Sequence, residues 1–162
     1  MFVKILPLLL VFGLFVAKPS NTADFDYIGA AKCKMCHNKP PKGEQYNKWK
    51  AGPHANAMKK LTGDDAKDPK CLKCHSTAGA IDDKYNAGIK VTEGVSCETC
   101  HGPGSAYKSM SVMKDRAKAV AKGMIIPDEK LCRTCHNEES PDFKGFDYKE
   151  YSAIIAHPDP SK

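Results

Sequence analysis

The sequence predicts a mostly α-helical fold with long loops and little or no β-sheet. No segment alternates apolar and polar residues in the way that a half-buried strand does. Short stretches with helical spacing or capping residues are separated by connections rich in Gly, Pro, Lys and Asp. Leu, Val and Phe are too few for an ordinary apolar core, so we expect something other than side chains to fill the interior.

Two helices are predicted in the first two thirds of the chain. Residues 44–51 have helical character and are followed by a Gly-Pro pair that ends the helix. Thr92 is a good N-cap for a helix that carries residues 97–101, and Gly102 follows as the stop.

Three more helices are predicted towards the C-terminus. Residues 105–122 carry apolar residues at helical spacing, and a glycine follows as a C-cap. Asp128 starts a helix that leads towards residue 132. Asp147 with Glu150 resembles a capping box for a last helix through Ala156.

Residues 1–23 are predicted to be a signal peptide. A lysine precedes the apolar residues 5–17, and small and polar residues up to Ala23 follow. This apolar run is short for a membrane-spanning helix, which needs about 20 residues. An uncleaved membrane anchor is the alternative. We expect residues 24–162 to form one domain that is exported to the periplasm or the cell exterior.

The charge balance is basic, with a formal net charge of +6. Removal of Lys4 and Lys18 with the signal peptide would leave +4, because 6 − 2 = 4. No basic stripe with interleaved aromatic residues is present, so the sequence argues against a nucleic-acid-binding protein.

All eight cysteines lie in four copies of the pattern Cys-x-x-Cys-His, at residues 33–37, 71–75, 97–101 and 132–136. This pattern is typical of c-type haem attachment: two thiols bond the porphyrin edge and the imidazole binds the iron. Disulfides, zinc sites or a redox dithiol would also use paired cysteines, but none requires a histidine after each second cysteine.

The sequence therefore predicts four covalently attached haem c groups. The predicted attachment residues are Cys33, Cys36, Cys71, Cys74, Cys97, Cys100, Cys132 and Cys135. The predicted iron ligands of the motifs are His37, His75, His101 and His136. Together with the helical patterns, these motifs predict a small multihaem cytochrome c fold organised around the four haem groups.

The sequence has too few histidines to give each of the four predicted haem irons a second axial ligand. Of the six histidines, only His54 and His157 lie outside the motifs, so both are candidate ligands. At least two haems must then use methionine, another group, a neighbouring chain or no sixth ligand. Met110 and Met113 share one face of the predicted helix 105–122 and are further candidates, although such a pair more often packs in a core.

Several of these segments resemble the cytochrome c-554 family of tetrahaem electron carriers. The resemblance is carried by the first motif, by Glu44-Gln45-Tyr46 with Trp49, and by the sequence HANAM at 54–58. Its most specific stretch is TEGV at 92–95 followed by CETCHGPG at 97–104. The fourth motif and residues 146–157 also fit.

The resemblance implies a mostly helical fold with closely stacked haem pairs, three bis-histidine haems and one haem with an open face. It implies that His54 binds the third haem and His157 the fourth, and that the haem on His75 is the open one. The family has a further histidine shortly after Gly-Pro-Gly, which caps the first haem. This chain has Ser111 there, so the first haem is left with a methionine, a neighbouring chain or nothing.

The function predicted from these features is electron transfer between redox partners, which would be other redox proteins or cytochromes. One alternative is a subunit of an extracellular cytochrome filament, in which His157 reaches a neighbouring chain. Another is an enzyme that reduces nitric oxide, hydroxylamine or peroxide at an open haem. Ser76, Thr77, Lys84 and Tyr85 lie near His75 in sequence, and we expect the serine and the lysine there to be solvated surface.

Overall fold

A computed structural model describes residues 25–157. This part of the chain folds into short α-helices joined by loops and 3₁₀ turns, and it contains no β-strand beyond a single parallel bridge between Tyr27 and Asn86. The helices are α1 Ala30–His37, α2 Gln45–Ala51, α3 Pro69–His75, α4 Thr77–Ala80, α5 Cys97–His101, α6 Met110–Met113, α7 Arg116–Ala121, α8 Glu129–Cys132 and α9 Tyr148–Ile155.

The predicted mostly helical fold is thereby confirmed. The predicted signal peptide lies outside the described residues. Between residues 25 and 157, no helix combines the length and the apolar character that a bilayer-spanning segment requires.

Three of the helix predictions are confirmed. Helix α2 occupies the predicted segment and ends before Gly52. Helix α8 begins after Asp128, whose side chain accepts a hydrogen bond from the backbone N–H of Leu131. Helix α9 begins after Asp147, which caps it through the N–H of Glu150, and ends at Ile155. These starts depend on local capping, which the sequence reveals directly.

Two helix predictions need correction. Thr92 lies in a short 3₁₀ turn and does not cap α5, which begins five residues later at Cys97. The segment 105–122 forms two short helices, α6 and α7, rather than one long helix. The interruption falls at Asp115, whose carboxylate accepts the N–H of Lys118 at 3.0 Å and so caps a new helix.

The apolar core is small. Tyr107, Val112 and Ala119 form a buried cluster against which Met124 packs. The hydroxyl of Tyr107 donates to the backbone carbonyls of His101 and the next residue, both at 2.9 Å. The cluster therefore also ties α6 and α7 to the end of α5.

A buried polar network joins the end of the second motif to the start of the third. The backbone N–H of Thr77 donates to the carbonyl of Gly94 at 2.9 Å. The hydroxyl of Thr77 lies 2.6 Å from that of Thr99 and accepts the N–H of Ser96 at 2.7 Å. Ser76 and Thr77 are each only 1% exposed. The expectation that the serine lies at a solvated surface is wrong, because its hydroxyl caps α4 from inside the fold.

Replacing Thr77 by valine keeps the volume but leaves the buried N–H of Ser96 without its acceptor. We expect Thr77→Val to lower the free energy of unfolding by about 1–3 kcal/mol. Ser76→Ala, which removes only a helix cap, should cost about 1 kcal/mol. Denaturant unfolding followed by circular dichroism measures both. Equal stability of the Thr77→Val variant and the wild type would contradict this role of the network.

Candidate functional site

Each motif places its two thiols and its imidazole on one face of a helical turn. In α1, for example, Cys33, Cys36 and His37 stand at positions i, i+3 and i+4, which share one side of a helix. The fourth motif continues past α8 with a helical turn, since the N–H of His136 donates to the carbonyl of Cys132 at 3.0 Å. No disulfide joins any of the eight cysteines, all of which lie in the described part of the chain. This donor set fits a porphyrin bonded at one edge and ligated from one side.

Hydrogen bonds orient two of the motif imidazoles. Nδ1 of His37 lies 3.2 Å from Oε1 of Gln45, and Nδ1 of His75 lies 3.0 Å from the carbonyl oxygen of Ala57. A proton on Nδ1 leaves Nε2 as the ligating nitrogen, which is the usual arrangement of a metal-bound histidine. The role of Gln45 was not predicted from the sequence, because it depends on the packing of α1 against α2.

Two pairs of imidazoles lie close together, with their ring planes tilted by 49° and 45°. The ring centres of His54 and His136 are 6.1 Å apart, and those of His101 and His157 are 5.9 Å apart. Metal–nitrogen bonds of about 2 Å place two imidazoles on opposite sides of one metal with centres roughly 6 Å apart. Both distances therefore fit the insertion of one iron between the rings.

The pairing is the reverse of what the resemblance implied. His54 faces the histidine of the fourth motif rather than the third. His157 faces His101 of the third motif rather than the fourth. The physical reason lies in the packing of the two segments, which sequence order does not reveal: α9 folds back towards the third motif, and the 3₁₀ turn that begins at His54 lies near the fourth.

A close backbone approach holds His54 in place. The carbonyl of His54 accepts the N–H of Val95 at 3.0 Å, and a Cβ at Gly94 would lie only 2.7 Å from this carbonyl oxygen. Gly94 also has φ +77°, in the left-handed region that favours glycine. The indole N–H of Trp49 donates to the carbonyl of Val95 at 2.8 Å. Residue 94 is therefore restricted to glycine by contact and by conformation.

Aromatic side chains surround the imidazole of the fourth motif. The ring of Phe146 stacks on that of His136, with centres 4.8 Å apart and an interplanar angle of 16°. Tyr151 of α9 packs against both rings, and the guanidinium of Arg133 lies over Phe146. This packing restricts rotation of the imidazole.

The environment of the imidazoles favours their neutral form. Burial lowers the pKa of His54, and the neighbouring His136 lowers it further. Burial and then His157 lower the pKa of His101, against a backbone contact with Ile125 that raises it. Burial also lowers the pKa of His136. Neutral imidazole is the form that binds metals.

Contacts connect the four motifs in the order first, third, fourth, second: α1 packs against α5, Tyr151 and His157 contact the imidazoles of the fourth and third motifs, and Lys73 of the second motif forms an exposed ion pair with Glu139 after the fourth. The neighbouring thiol of Cys97 lowers the pKa of Cys33, and burial and then the neighbouring Cys135 raise that of Cys74, so cysteines of different motifs lie near each other. Burial raises the pKa of Cys100, and the nearby Cys132 and Cys135 raise it further.

Two motif histidines have no second imidazole beside them in the described part of the chain, and the two methionine candidates are exposed. All six histidines belong to the described part of the chain, and within it His37 and His75 face no second imidazole ring. Helix α6 turns Val112 into the apolar cluster and leaves Met110 66% and Met113 36% exposed. Ligation by either methionine stays a prediction.

The comparisons with known proteins point to one group. A sequence model of the family described as "Cytochrome c554 and c-prime" matches residues 32–102, which include the first three motifs. Cytochrome c-554 of Nitrosomonas europaea is 28% identical over 156 residues, covering 78% of this chain and 64% of that protein. The chain resembles the cytochrome c-554 family.

The solved structures give the same result at the level of the fold. The reduced state of cytochrome c554 from Nitrosomonas europaea superposes with a TM-score of 0.55 and 25% sequence identity, covering 82% of this chain and 79% of that one. The predicted fold class and family resemblance are confirmed. The chain spans about 64% of the length of the curated relative that it matches.

The pairing of His54 can be tested by removing one haem at a time. With Cys132 and Cys135 both changed to alanine, the fourth haem is lost, and adding His54→Ala should create no new high-spin ferric iron. With Cys97 and Cys100 changed instead, His54→Ala should create one. The measurement is the high-spin EPR signal integrated against total haem iron.

The reverse pattern in these two backgrounds would assign His54 to the iron of His101 and contradict the ring distances. His157→Ala is the matched control, because it should behave oppositely to His54→Ala in the same two backgrounds.

Proposed function

We propose that the chain is an exported tetrahaem c-type cytochrome that transfers electrons between redox proteins. Four haem c groups would be held by the eight motif cysteines, with His37, His75, His101 and His136 as iron ligands. Haem iron, when bound, carries one electron by changing between the ferric and ferrous states. The observation that carries the proposal is the side-by-side placement of the four motifs.

The continuous order of the motifs supports transfer through the molecule. Helix α1 of the first motif packs against α5 of the third, Tyr151 and His157 contact the imidazoles of the fourth and third motifs, and Lys73 of the second pairs with Glu139 after the fourth. Groups attached at these positions would have a neighbour at every step. The two ends of the series are the first and second motifs, so we propose that redox partners exchange electrons at these ends.

The protein would ligate its irons unequally. His54 with His136, and His101 with His157, supply two imidazoles each to the middle pair of the series. His37 and His75 supply one imidazole each to the terminal haems. Because a second strong ligand changes the relative stability of the two iron oxidation states, we propose that the middle and terminal groups have different reduction potentials.

The export and the single domain are part of the proposal. The apolar segment within residues 1–23 supports cleavage and export, and residues 24–162 would form the mature cytochrome. A membrane contact would arise only if this segment is not cleaved.

The two alternative functions find less support in the side chains that motivated them. The filament alternative depends on His157 reaching another chain, but its ring lies 5.9 Å from that of His101 in its own chain. The enzyme alternative needs a proton donor near His75. Thr77 is engaged in the buried network, and the ammonium of Lys84 pairs with Asp82 at 3.1 Å.

Carbon monoxide binding to the reduced holoprotein tests the ligand count. We expect two molecules of carbon monoxide per chain at the two singly ligated haems, because carbon monoxide enters where no firm sixth ligand is present. The Soret difference spectrum is titrated against haem content, and light scattering identifies the monomer in the same sample.

Other stoichiometries would identify the error in the proposal. One molecule per chain would mean that a side chain or a neighbouring molecule caps one of the terminal haems, and Met110→Leu and Met113→Leu would then show whether either thioether does so. Three or four would mean that a facing imidazole pair does not ligate iron.

A further inference from the structure

Glu98 is a fully buried acidic residue inside the third motif. It lies between Cys97 and Thr99 in α5, and only 1% of the residue is exposed. A carboxylate is costly to bury unless hydrogen bonds replace its water. Its presence between two attachment cysteines therefore calls for a physical role, which haem attachment itself does not provide.

Backbone N–H groups satisfy both oxygens of this carboxylate. The N–H of Ile28 lies 3.0 Å from Oε1 and 3.1 Å from Oε2. The N–H of Gly29 donates to Oε2 at 2.7 Å, and that of Gly104 donates to Oε1 at 2.6 Å. Burial raises the pKa of Glu98 above its ordinary value, and these N–H groups offset only part of the rise. Hydrogen bonds to a charged acceptor are short and strong, as these distances are.

Two of these donors directly precede the helix of the first motif. The first N–H groups of a helix have no partner within it, and Gly29, at the N-cap of α1, offers no side chain to cap them. The N–H of Ala30 donates instead to Oε1 of Glu93 at 2.8 Å. The start of α1 is thus held by two carboxylates from the region of the third motif, at the helix end where negative charge is favoured.

The glycine that follows the third motif makes room for this arrangement. A Cβ at Gly104 would lie 3.0 Å from Oε1 of Glu98 and 3.1 Å from Cδ1 of Ile28. The last glycine of Gly-Pro-Gly therefore permits close approach and supplies a donor, in addition to lying beyond the helix stop at Gly102.

The same contacts bring the two attachment sites together. Cys33 lies one turn into α1, and it neighbours Cys97, the residue before Glu98, closely enough for each thiol to shift the pKa of the other. Helix α1 packs against α5. A shift of α1 along its axis would break the bonds to Glu98 and separate the two attachment positions.

We propose that Glu98 is a positioning residue that fixes the helix of the first motif against that of the third, and so sets the relative placement of the haems carried there. The inference rests on the proposed attachment of haem at these motifs. The carboxylate of Glu98 also lies beside both attachment sites, and its negative charge would favour the ferric state of irons held there.

The test is Glu98→Gln in the holoprotein. Glutamine keeps the size but replaces one acceptor oxygen with an NH₂ group that points at N–H donors. We expect four haems per chain by mass, a smaller two-signed Soret band in circular dichroism, and a rise in two of the four midpoint potentials. The Soret band reports the spacing and angle of neighbouring porphyrins.

Two variants serve as matched controls. Glu93→Gln loses the single bond to Ala30 and should change the Soret band less. Glu139→Gln removes an exposed carboxylate beside the second and fourth motifs and should leave the Soret band unchanged.

A third variant, Gly104→Ala, is a second test of the proposal. It crowds Glu98 without removing its charge, so it should reduce the Soret band with little change in potential. It provides the test if Glu98→Gln fails to fold.

A lower unfolding temperature in Glu98→Gln with an unchanged Soret band and unchanged potentials would overturn the proposal, because Glu98 would then only stabilise the fold. An unchanged Soret band in Gly104→Ala would do the same. Failure of the proposed function would give a different result from failure of this inference. The measured mass of the wild-type protein would then not include the mass of four haems.

Discussion

Two pairs of imidazoles that face each other about 6 Å apart constrain where the other segments of this fold lie. His54 and His136 are 82 positions apart in the chain (136 − 54), and His101 and His157 are 56 apart (157 − 101). In the proposed cytochrome, the two rings of each pair would bind one iron from opposite sides. The loops between the motifs follow from this requirement, because each loop has to return a short helix to the same cluster.

The interior is stabilised chiefly by polar contacts to the backbone. The apolar cluster around Tyr107 is small, and the most deeply buried side chains include those of Glu98, Thr77 and Ser96. Each of these three side chains forms a hydrogen bond with a backbone group of another segment or with a neighbouring hydroxyl. Such bonds are directional, so they fix the positions of segments where a small apolar core would allow them to slide.

Local features of the fold were predictable from the sequence, and long-range ones were not. The starts of α8 and α9 follow from Asp128 and Asp147, because a capping side chain bonds to an N–H group three residues later. The motifs likewise reveal their own chemistry within five residues. The division of the segment 105–122 does not follow from its apolar spacing, because that spacing continues across Asp115, which nonetheless caps a new helix.

The pairing of the outer histidines was missed for a different reason. Sequence spacing does not specify which motif His54 approaches, since that depends on contacts between segments far apart in the chain. The partners of Gln45 and Glu98 belong to the same class. Both residues lie within stretches that carry the family resemblance, but a resemblance identifies residues without identifying their contacts.

The contacts of Gly94 limit where the length of this chain can vary. Its carbonyl binds Thr77 after the second motif, its Cα lies against the carbonyl of His54, and its neighbour Val95 leads into the third motif. An insertion or deletion between residues 91 and 105 would break several of these contacts at once. The turns at residues 62–68 and 137–145 are mostly exposed, so a change of length there would disturb fewer buried contacts. Differences in length among related proteins are therefore expected to accumulate in those turns.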